Sequence, residues 1–184
     1  SKIGQVICGL GVGQHLEYWG YPTTKIVEKD WEEEVQLENG MRLITQTSRH
    51  FSGRMFARNN TLWLSFVLTT SDFKMYLGGD SGYDQHFKAI GEKYGPFDLA
   101  IIENGQYNLA WHYIHLLPEE GVQAAVDLQA KRVLPVHSSK FKLALHPWQE
   151  PLEKITQLNE AGPQLPIATP KIGEMVRLKD TTQV

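Results

Sequence analysis

The sequence predicts an α/β fold in which a mixed β-sheet carries helices on one face. Two observations support this prediction. Residues 3–80 contain apolar runs of strand length separated by turn signals, which is typical of β-hairpins. Residues 81–178 then alternate helical and strand patterns, which is typical of parallel strands joined by helices. With 184 residues and 41% hydrophobic content, the chain can form one real core, so residues 1–184 are interpreted as a single region.

The first part of the chain is predicted to be strands with one short helix. A strand at residues 3–10 runs into Gly9-Leu-Gly-Val-Gly13, a tight turn that leads to a helix at 14–19. Asn39-Gly40 is a strong hairpin signal between two strands. The segment from 25 to 45 is therefore predicted to be antiparallel sheet. Its strands are expected at 25–28, 31–37 and 41–45.

The second part of the chain is predicted to add strands and helices in turn. The strand at 62–68 is expected to form a hairpin with 73–77, and a helix follows up to Tyr94, where Gly95-Pro96 stops it. Pro118 and two acidic residues open another helix. The remaining elements are strands at 97–102, 132–136 and 174–178 and a helix at 148–158.

Composition excludes several classes of protein. A formal charge of −3 with mixed signs offers no basic face for nucleic acid. No apolar run approaches the roughly 20 residues that span a bilayer. The single cysteine, Cys8, rules out a disulfide within the chain and fits a reducing compartment. We therefore expect a cytoplasmic protein, with peripheral association with membranes left open.

Three residues of metal-ligand type follow predicted strands. His50, Asp80 and His137 each stand in a loop with small or polar neighbours, and Asp80 follows Gly78-Gly79 directly. Zinc accepts both imidazole nitrogen and carboxylate oxygen, and loops at one edge of a sheet bring such side chains together. The alternative is that Asp80 only forms a turn and that the histidines are ordinary loop residues. The local pattern leaves both readings open.

Longer motifs make the chain similar to a known family, the metallo-β-lactamase-fold hydrolases. Within it, the chain resembles the branch of N-acyl-phosphatidylethanolamine-hydrolysing phospholipase D and the RomA-type proteins. The motifs span nearly the whole chain. They are Gly9-Leu-Gly-Val-Gly-Gln-His15-Leu with Trp19-Gly20, Ser48-Arg-His50-Phe-Ser-Gly-Arg54, Gly79-Asp80-Ser-Gly-Tyr83, Tyr94-Gly-Pro-Phe-Asp-Leu-Ala100, His115-Leu-Leu-Pro-Glu-Glu120 and Val136-His137-Ser-Ser-Lys-Phe141.

The resemblance implies a role for each of four residues. His50 matches a ligand of the first zinc, Asp80 a carboxylate that bridges two zincs, and His137 a ligand of the second zinc. His115 matches a histidine near the substrate phosphate. Asp80 and His115 are therefore the expected catalytic residues. The implied reaction is hydrolysis of a phosphodiester, such as an N-acyl-phosphatidylethanolamine-like phospholipid, by a water that the two zinc ions activate.

One motif of the family is absent from these 184 residues. The family's His-x-His-x-Asp-His run supplies metal ligands and lies upstream of the matching region. The chain therefore resembles the C-terminal half of a metallo-β-lactamase αββα sandwich. With only two ligands for each zinc, we expect weak or no metal binding and no activity in the isolated chain. The alternative is a non-catalytic binding or assembly module that keeps the scaffold without metal.

A half of such a sandwich is expected to expose an apolar sheet face. Exposed patches of that size favour association, so we expect the missing N-terminal half or a second copy of the chain, in a homodimer, to cover it. The residues expected on this face are Ile3, Val6, Leu64, Phe66, Ile101 and Val133.

Overall fold

The computed structural model describes residues 3–54 and 57–176, and its described part is an α/β structure with ten strands and four helices. The strands are β1 (Val6–Gly9), β2 (Ile26–Lys29), β3 (Glu34–Gln36), β4 (Arg42–Gln46), β5 (Gly53–Arg54), β6 (Ala57–Arg58), β7 (Ser65–Thr69), β8 (Lys74–Leu77), β9 (Leu99–Glu103) and β10 (Val133–Val136). The helices are α1 (Val12–Tyr18), α2 (His86–Tyr94), α3 (Pro118–Asp127) and α4 (Glu150–Ala161).

Six strands form the central mixed sheet, in the order β10-β9-β8-β7-β4-β3. The strands β8, β9 and β10 are parallel, because helices connect them. The strands β3, β4, β7 and β8 pair in antiparallel fashion, as the predicted hairpins require. The mixed α/β sheet predicted from the sequence is confirmed.

One face of this sheet is the hydrophobic core. Ile44, Val67, Tyr76, Ala100 and Val133 lie side by side across five strands, and all are buried. Helices α2 and α3 cover this row with apolar side chains that belong to the same cluster. These side chains are Phe87 and Ile90 of α2, Ala124 and Ala125 of α3, and Leu128 directly after α3. Burying a large apolar side chain contributes about 1.5–3 kcal/mol, so the large side chains of this row and its helices stabilise the sheet.

The prediction for Val133 was wrong. We expected it on the face left for a partner, but its neighbour in register is Ala100, on the helix-covered face, and only 1% of it is exposed. Alternate residues of a strand point to opposite faces, so Leu134 lies on the other face instead. Only the register of β10 in the sheet decides which of its residues face the helices, and the sequence pattern does not contain that register.

The opposite face carries a second apolar row that is only half-buried. Phe66, Leu77, Ile101 and Leu134 follow one another in register across β7 to β10. Leu64 and Val6 are half-buried as well, and Ile3 is exposed. The helices α2 and α3 therefore cover one face of the sheet and leave an apolar row on the other.

The first two strands form a separate small sheet. We expected residues 25–28 in the antiparallel sheet, but β2 pairs in parallel with β1, and α1 forms the crossover between them. The Gly13 N–H at the start of α1 donates to the Glu28 carboxylate at 2.8 Å. Gly9 is needed because a Cβ there would lie 2.3 Å from the Leu62 carbonyl oxygen. The strand predicted at 174–178 is absent from residues 174–176, and its last two positions lie outside the described residues.

Candidate metal centre

The directions of the strands bring several polar side chains to one edge of the sheet. The strands β4, β8, β9 and β10 run the same way, since β4 and β8 are each antiparallel to β7. His50 lies beyond the end of β4, Asp80 beyond β8 and His137 directly after β10. Their predicted position at strand ends is therefore what places them on the same edge.

These side chains approach one another closely enough to share a metal ion. Ligand atoms of His50, Asp80 and His115 all lie within 4.8 Å of one another. The His137 Nε2 atom lies 3.6 Å from the Asp80 Oδ2 atom. Two ligands of a tetrahedral zinc ion are about 3.3 Å apart, so small side-chain shifts would complete such a set. Imidazole nitrogens and a carboxylate are also the donors that zinc prefers, and the residues present therefore fit the metal.

His115 was predicted beside the substrate, and the structure places it between the other two histidines. Its ring centroid lies 5.7 Å from that of His50 and 5.5 Å from that of His137. A turn holds it there, in which the His115 N–H donates to the Trp111 carbonyl at 2.9 Å. His115 is thus a metal-ligand candidate in this structure, in addition to its expected position near the substrate phosphate.

Glu103 is a member of the site that the sequence did not reveal. It is the last residue of β9, it is 1% exposed, and its Oε2 atom lies 2.8 Å from the His115 Nδ1 atom. Its Oε1 atom accepts the Leu116 N–H at 2.5 Å. With the carboxylate ionised, the His115 Nδ1–H donates to it, which leaves Nε2 as the free nitrogen. Carboxylates orient metal-binding histidines in this way. A carboxylate at the end of an apolar strand was the available signal.

The electrostatics of this pair follow from burial. Burial raises the pKa of Glu103 to about 7, although its bonds to His115 oppose the change. Burial acts to lower the pKa of His115, but the Glu103 carboxylate more than offsets this and raises it. The two groups therefore titrate as a pair.

His50 is oriented through its backbone neighbour. The His50 Nδ1 atom lies 2.7 Å from the Phe51 carbonyl oxygen, so Nδ1–H donates and Nε2 keeps a free lone pair. The ring also stacks on the Phe51 ring at a centroid distance of 5.1 Å. Both His50 and His115 therefore have one nitrogen engaged by the protein and the other free.

His137 depends on close backbone packing. It has a φ of 68°, in the left-handed region that a histidine seldom adopts. A Cβ at Gly105 would lie 2.3 Å from the His137 carbonyl oxygen, so the loop after β9 approaches this residue as only glycine allows. The glycine in the Glu103-Asn-Gly run thus helps to set the position of His137.

Two groups of possible metal ligands are found among residues 3–54 and 57–176, one of His50, Asp80 and His115 and one of Glu103, His115 and His137. The other four histidines belong to neither group. His15 is exposed, His112 and His86 are partly buried, and His146 is buried beneath the Tyr107 ring. A cleft of about 810 Å³ between Arg42 and Tyr94 lies at the opposite edge of the sheet, away from the clustered side chains.

Comparison with known proteins identifies the family. Residues 1–138 match the beta-lactamase superfamily domain. The chain belongs to the metallo-β-lactamase superfamily. The outer membrane protein RomA of Klebsiella pneumoniae is 58% identical over 93 residues, which are 50% of this chain and 70% of RomA. The mitochondrial N-acyl-phosphatidylethanolamine-hydrolyzing phospholipase D of Saccharomyces cerevisiae is 35% identical over 146 residues, 74% of this chain and 31% of the yeast protein. The chain therefore lies in the RomA and phospholipase D-like branch of the superfamily.

A solved structure supports the fold. The metallo hydrolase Igni18 of Ignicoccus hospitalis superposes with a TM-score of 0.69 at 18% identity, over 94% of this chain and 67% of Igni18. The chain spans about half the length of the curated relatives it matches, for example 45% of a 43% identical uncharacterised protein of Mycobacterium tuberculosis. Among the described residues, none of the helices has both the length and the apolar character needed to cross a membrane.

Proposed function

We propose that the complete protein is a zinc-dependent phosphodiesterase whose substrates include N-acyl-phosphatidylethanolamine-like phospholipids. The observation that carries the proposal is the convergence of His50, Asp80, His115 and His137 at one edge of the sheet, within 4.8 Å for the first three. The phospholipase D relatives favour a phosphodiester over the other bonds that this superfamily hydrolyses.

The side chains of this chain have distinct tasks in the proposed reaction. When bound, zinc lowers the pKa of a water molecule and stabilises negative charge on oxygen. Asp80 lies within 4.8 Å of His50 and 3.6 Å from the His137 Nε2 atom, so its carboxylate could serve ligand sets that include either histidine. His115 presents the nitrogen that Glu103 leaves free, either as a ligand or, when protonated, as a donor to a phosphate oxygen. Glu103 fixes the orientation of His115 and remains away from the substrate.

A hydrolysis assay tests this function. The complete protein, supplied with zinc, is expected to cleave bis(p-nitrophenyl) phosphate and an N-acyl-phosphatidylethanolamine in mixed micelles. His50→Ala, Asp80→Asn and His137→Ala should each lower kcat/KM at least about a hundredfold, because each removes or weakens a metal ligand. His15→Ala is the matched control, since His15 is an exposed histidine outside the cluster. Full activity in Asp80→Asn would refute the proposal.

The present chain alone is proposed to be inactive. Two or three protein ligands hold zinc more weakly than a closed set of four. The half-buried row formed by Phe66, Leu77, Ile101 and Leu134 is proposed to pack against the rest of the protein or against a second copy of the chain. Light scattering that finds only a monomer at micromolar concentration would contradict the dimer. Zinc-dependent turnover by the chain alone would contradict its inactivity.

A further inference from the structure

The segment of residues 140–148 exposes large apolar side chains beside the candidate metal centre. It begins three residues after His137, at the edge of the sheet where the histidines meet. Phe141, Leu143, Leu145 and Trp148 are 70%, 67%, 83% and 55% exposed. Lys140 and Lys142 stand between them in the sequence and are exposed as well. Single exposed apolar residues are ordinary, but four in nine residues need an explanation.

Hydrogen bonds hold the backbone of this segment in place, so its exposed side chains have defined positions. Gln106 is buried, and its side-chain oxygen accepts the N–H groups of Leu143 and Ala144 at 3.1 and 2.9 Å. Its amide nitrogen donates to the Phe141 carbonyl at 3.2 Å. Ala144 points inward and is buried. The segment is therefore anchored at its centre while the flanking leucines project into solvent.

A second loop extends the apolar surface. Leu109, in the loop after β9, is 77% exposed and borders the same cleft as Leu145. The surface thus includes the loops that follow β9 and β10, both at the edge that carries the metal centre. We call Leu109, Phe141, Leu143, Leu145 and Trp148 the apolar rim.

The composition of the rim and its surroundings favours a lipid surface over a protein partner. The cores of protein interfaces are depleted in lysine, whereas leucine, phenylalanine and tryptophan next to lysine are typical of segments that lie in the membrane interface. Lys140 and Lys142 would contact lipid headgroups while their stems lie along the apolar side chains. Of the carboxylates bordering the cleft, Glu150 pairs with Lys154 at 3.2 Å, and Glu119 is exposed.

We propose that the apolar rim docks the protein on an anionic lipid bilayer, with the edge of the sheet that carries the histidines facing the membrane. The leucines, Phe141 and Trp148 enter the interface, and the two lysines pair with anionic headgroups. Vesicle binding requires neither metal nor hydrolysis. Its outcome is therefore distinguishable from that of the activity assay above.

Co-sedimentation with vesicles tests the docking surface. The complete protein, freed of metal with a chelator, is mixed with phosphatidylcholine vesicles that contain or lack phosphatidylglycerol. We expect it to pellet with the anionic vesicles. The double variant Leu143→Ser/Leu145→Ser should bind at least about tenfold more weakly, because two side chains no longer enter the interface. Lys140→Ser/Lys142→Ser should bind anionic vesicles about thirtyfold more weakly, because two lysines that are attracted to the charged surface are removed.

The control variant is Tyr18→Ser/Trp19→Ser, which removes two equally exposed aromatic side chains at the end of α1. All the substituted side chains are exposed, so circular dichroism and thermal melting should match the unmodified chain. No binding to anionic vesicles by the unmodified chain, or equal losses in the control and the Leu143/Leu145 variant, would overturn the proposal. A dimer that Leu143→Ser/Leu145→Ser dissociates, without vesicle binding, would assign the rim to contacts between copies and overturn it too.

Discussion

The substitution Glu103→Gln separates the role of Glu103 in stability from its role in the site. The Leu116 N–H can only donate, so the glutamine oxygen must replace the carboxylate oxygen that accepts it at 2.5 Å. The glutamine NH₂ group then faces the His115 Nδ1 atom, which lies 2.8 Å from the carboxylate in the native pair. Two donors cannot bond, so the His115 proton must move to Nε2 and Nδ1 must accept. Both hydrogen bonds are kept, but the His115 Nε2 atom now carries the proton and can no longer bind a metal.

The expected magnitudes follow from this count of bonds. Glu103→Gln replaces a charge-assisted bond with a neutral one, and the free energy of unfolding should fall by only about 1 kcal/mol. Glu103→Ala leaves two buried donors unpaired, at about 1–3 kcal/mol each, so it should cost about 4 kcal/mol in total. Metal affinity in Glu103→Gln should nevertheless drop about 10- to 100-fold, as for other carboxylates that orient ligand histidines.

Three measurements on the complete protein check the expected changes in stability, zinc affinity and protonation of His115. Urea unfolding gives the two stability changes, zinc titration calorimetry gives the affinity, and ¹⁵N NMR of the histidine rings shows which nitrogen of His115 carries the proton. The reasoning is refuted if Glu103→Gln is as destabilising as Glu103→Ala, or if its His115 keeps the proton on Nδ1 and binds zinc normally.

Two further substitutions test other parts of the structure. Burial lowers the pKa of His86 from 6.5 to about 4, so between these values the unfolded chain takes up a proton that the folded chain does not, and stability falls as pH falls. Between pH 7 and pH 5, the free energy of unfolding measured in urea should therefore decrease by about 2 kcal/mol less in His86→Gln than in the unmodified chain. Equal decreases in the two proteins would contradict the lowered pKa of His86. Gly105→Ala should lower zinc affinity by displacing His137, since its Cβ would lie 2.3 Å from the His137 carbonyl oxygen, whereas Gly4→Ala meets nothing within 4 Å and should change nothing in the same titration. Unchanged affinity in Gly105→Ala would show that His137 is not held in place by this approach.

The sequence predicted the parts of the fold that depend on local pattern. The hairpin of β7 and β8, the Gly95-Pro96 stop after α2 and the Pro118 start of α3 each depend on a few adjacent residues. The convergence of His50, Asp80 and His137 was also predictable, because polar residues after parallel strands gather at one edge.

The remainder depended on pairing between distant segments. The parallel pairing of β1 with β2 and the face occupied by Val133 are both set by register, which the local sequence does not contain. Glu103 was missed for a related reason. It looks like the polar end of an apolar strand, and its partner His115 lies twelve residues further along, beyond a turn. Sequence pattern thus predicted which strands carry the site but not how their side chains are supported.

The central claim is that these strand ends form one metal centre, and anomalous diffraction at the zinc edge tests it most directly. Crystals of the complete protein grown with zinc should show an anomalous peak about 2.1 Å from an imidazole nitrogen of His50 or His137 and in contact with an Asp80 oxygen. The peak should vanish in crystals of Asp80→Asn. Peaks only at other histidines, such as His15 or His112, or no peak while Asp80 stays paired with His137, would contradict the account.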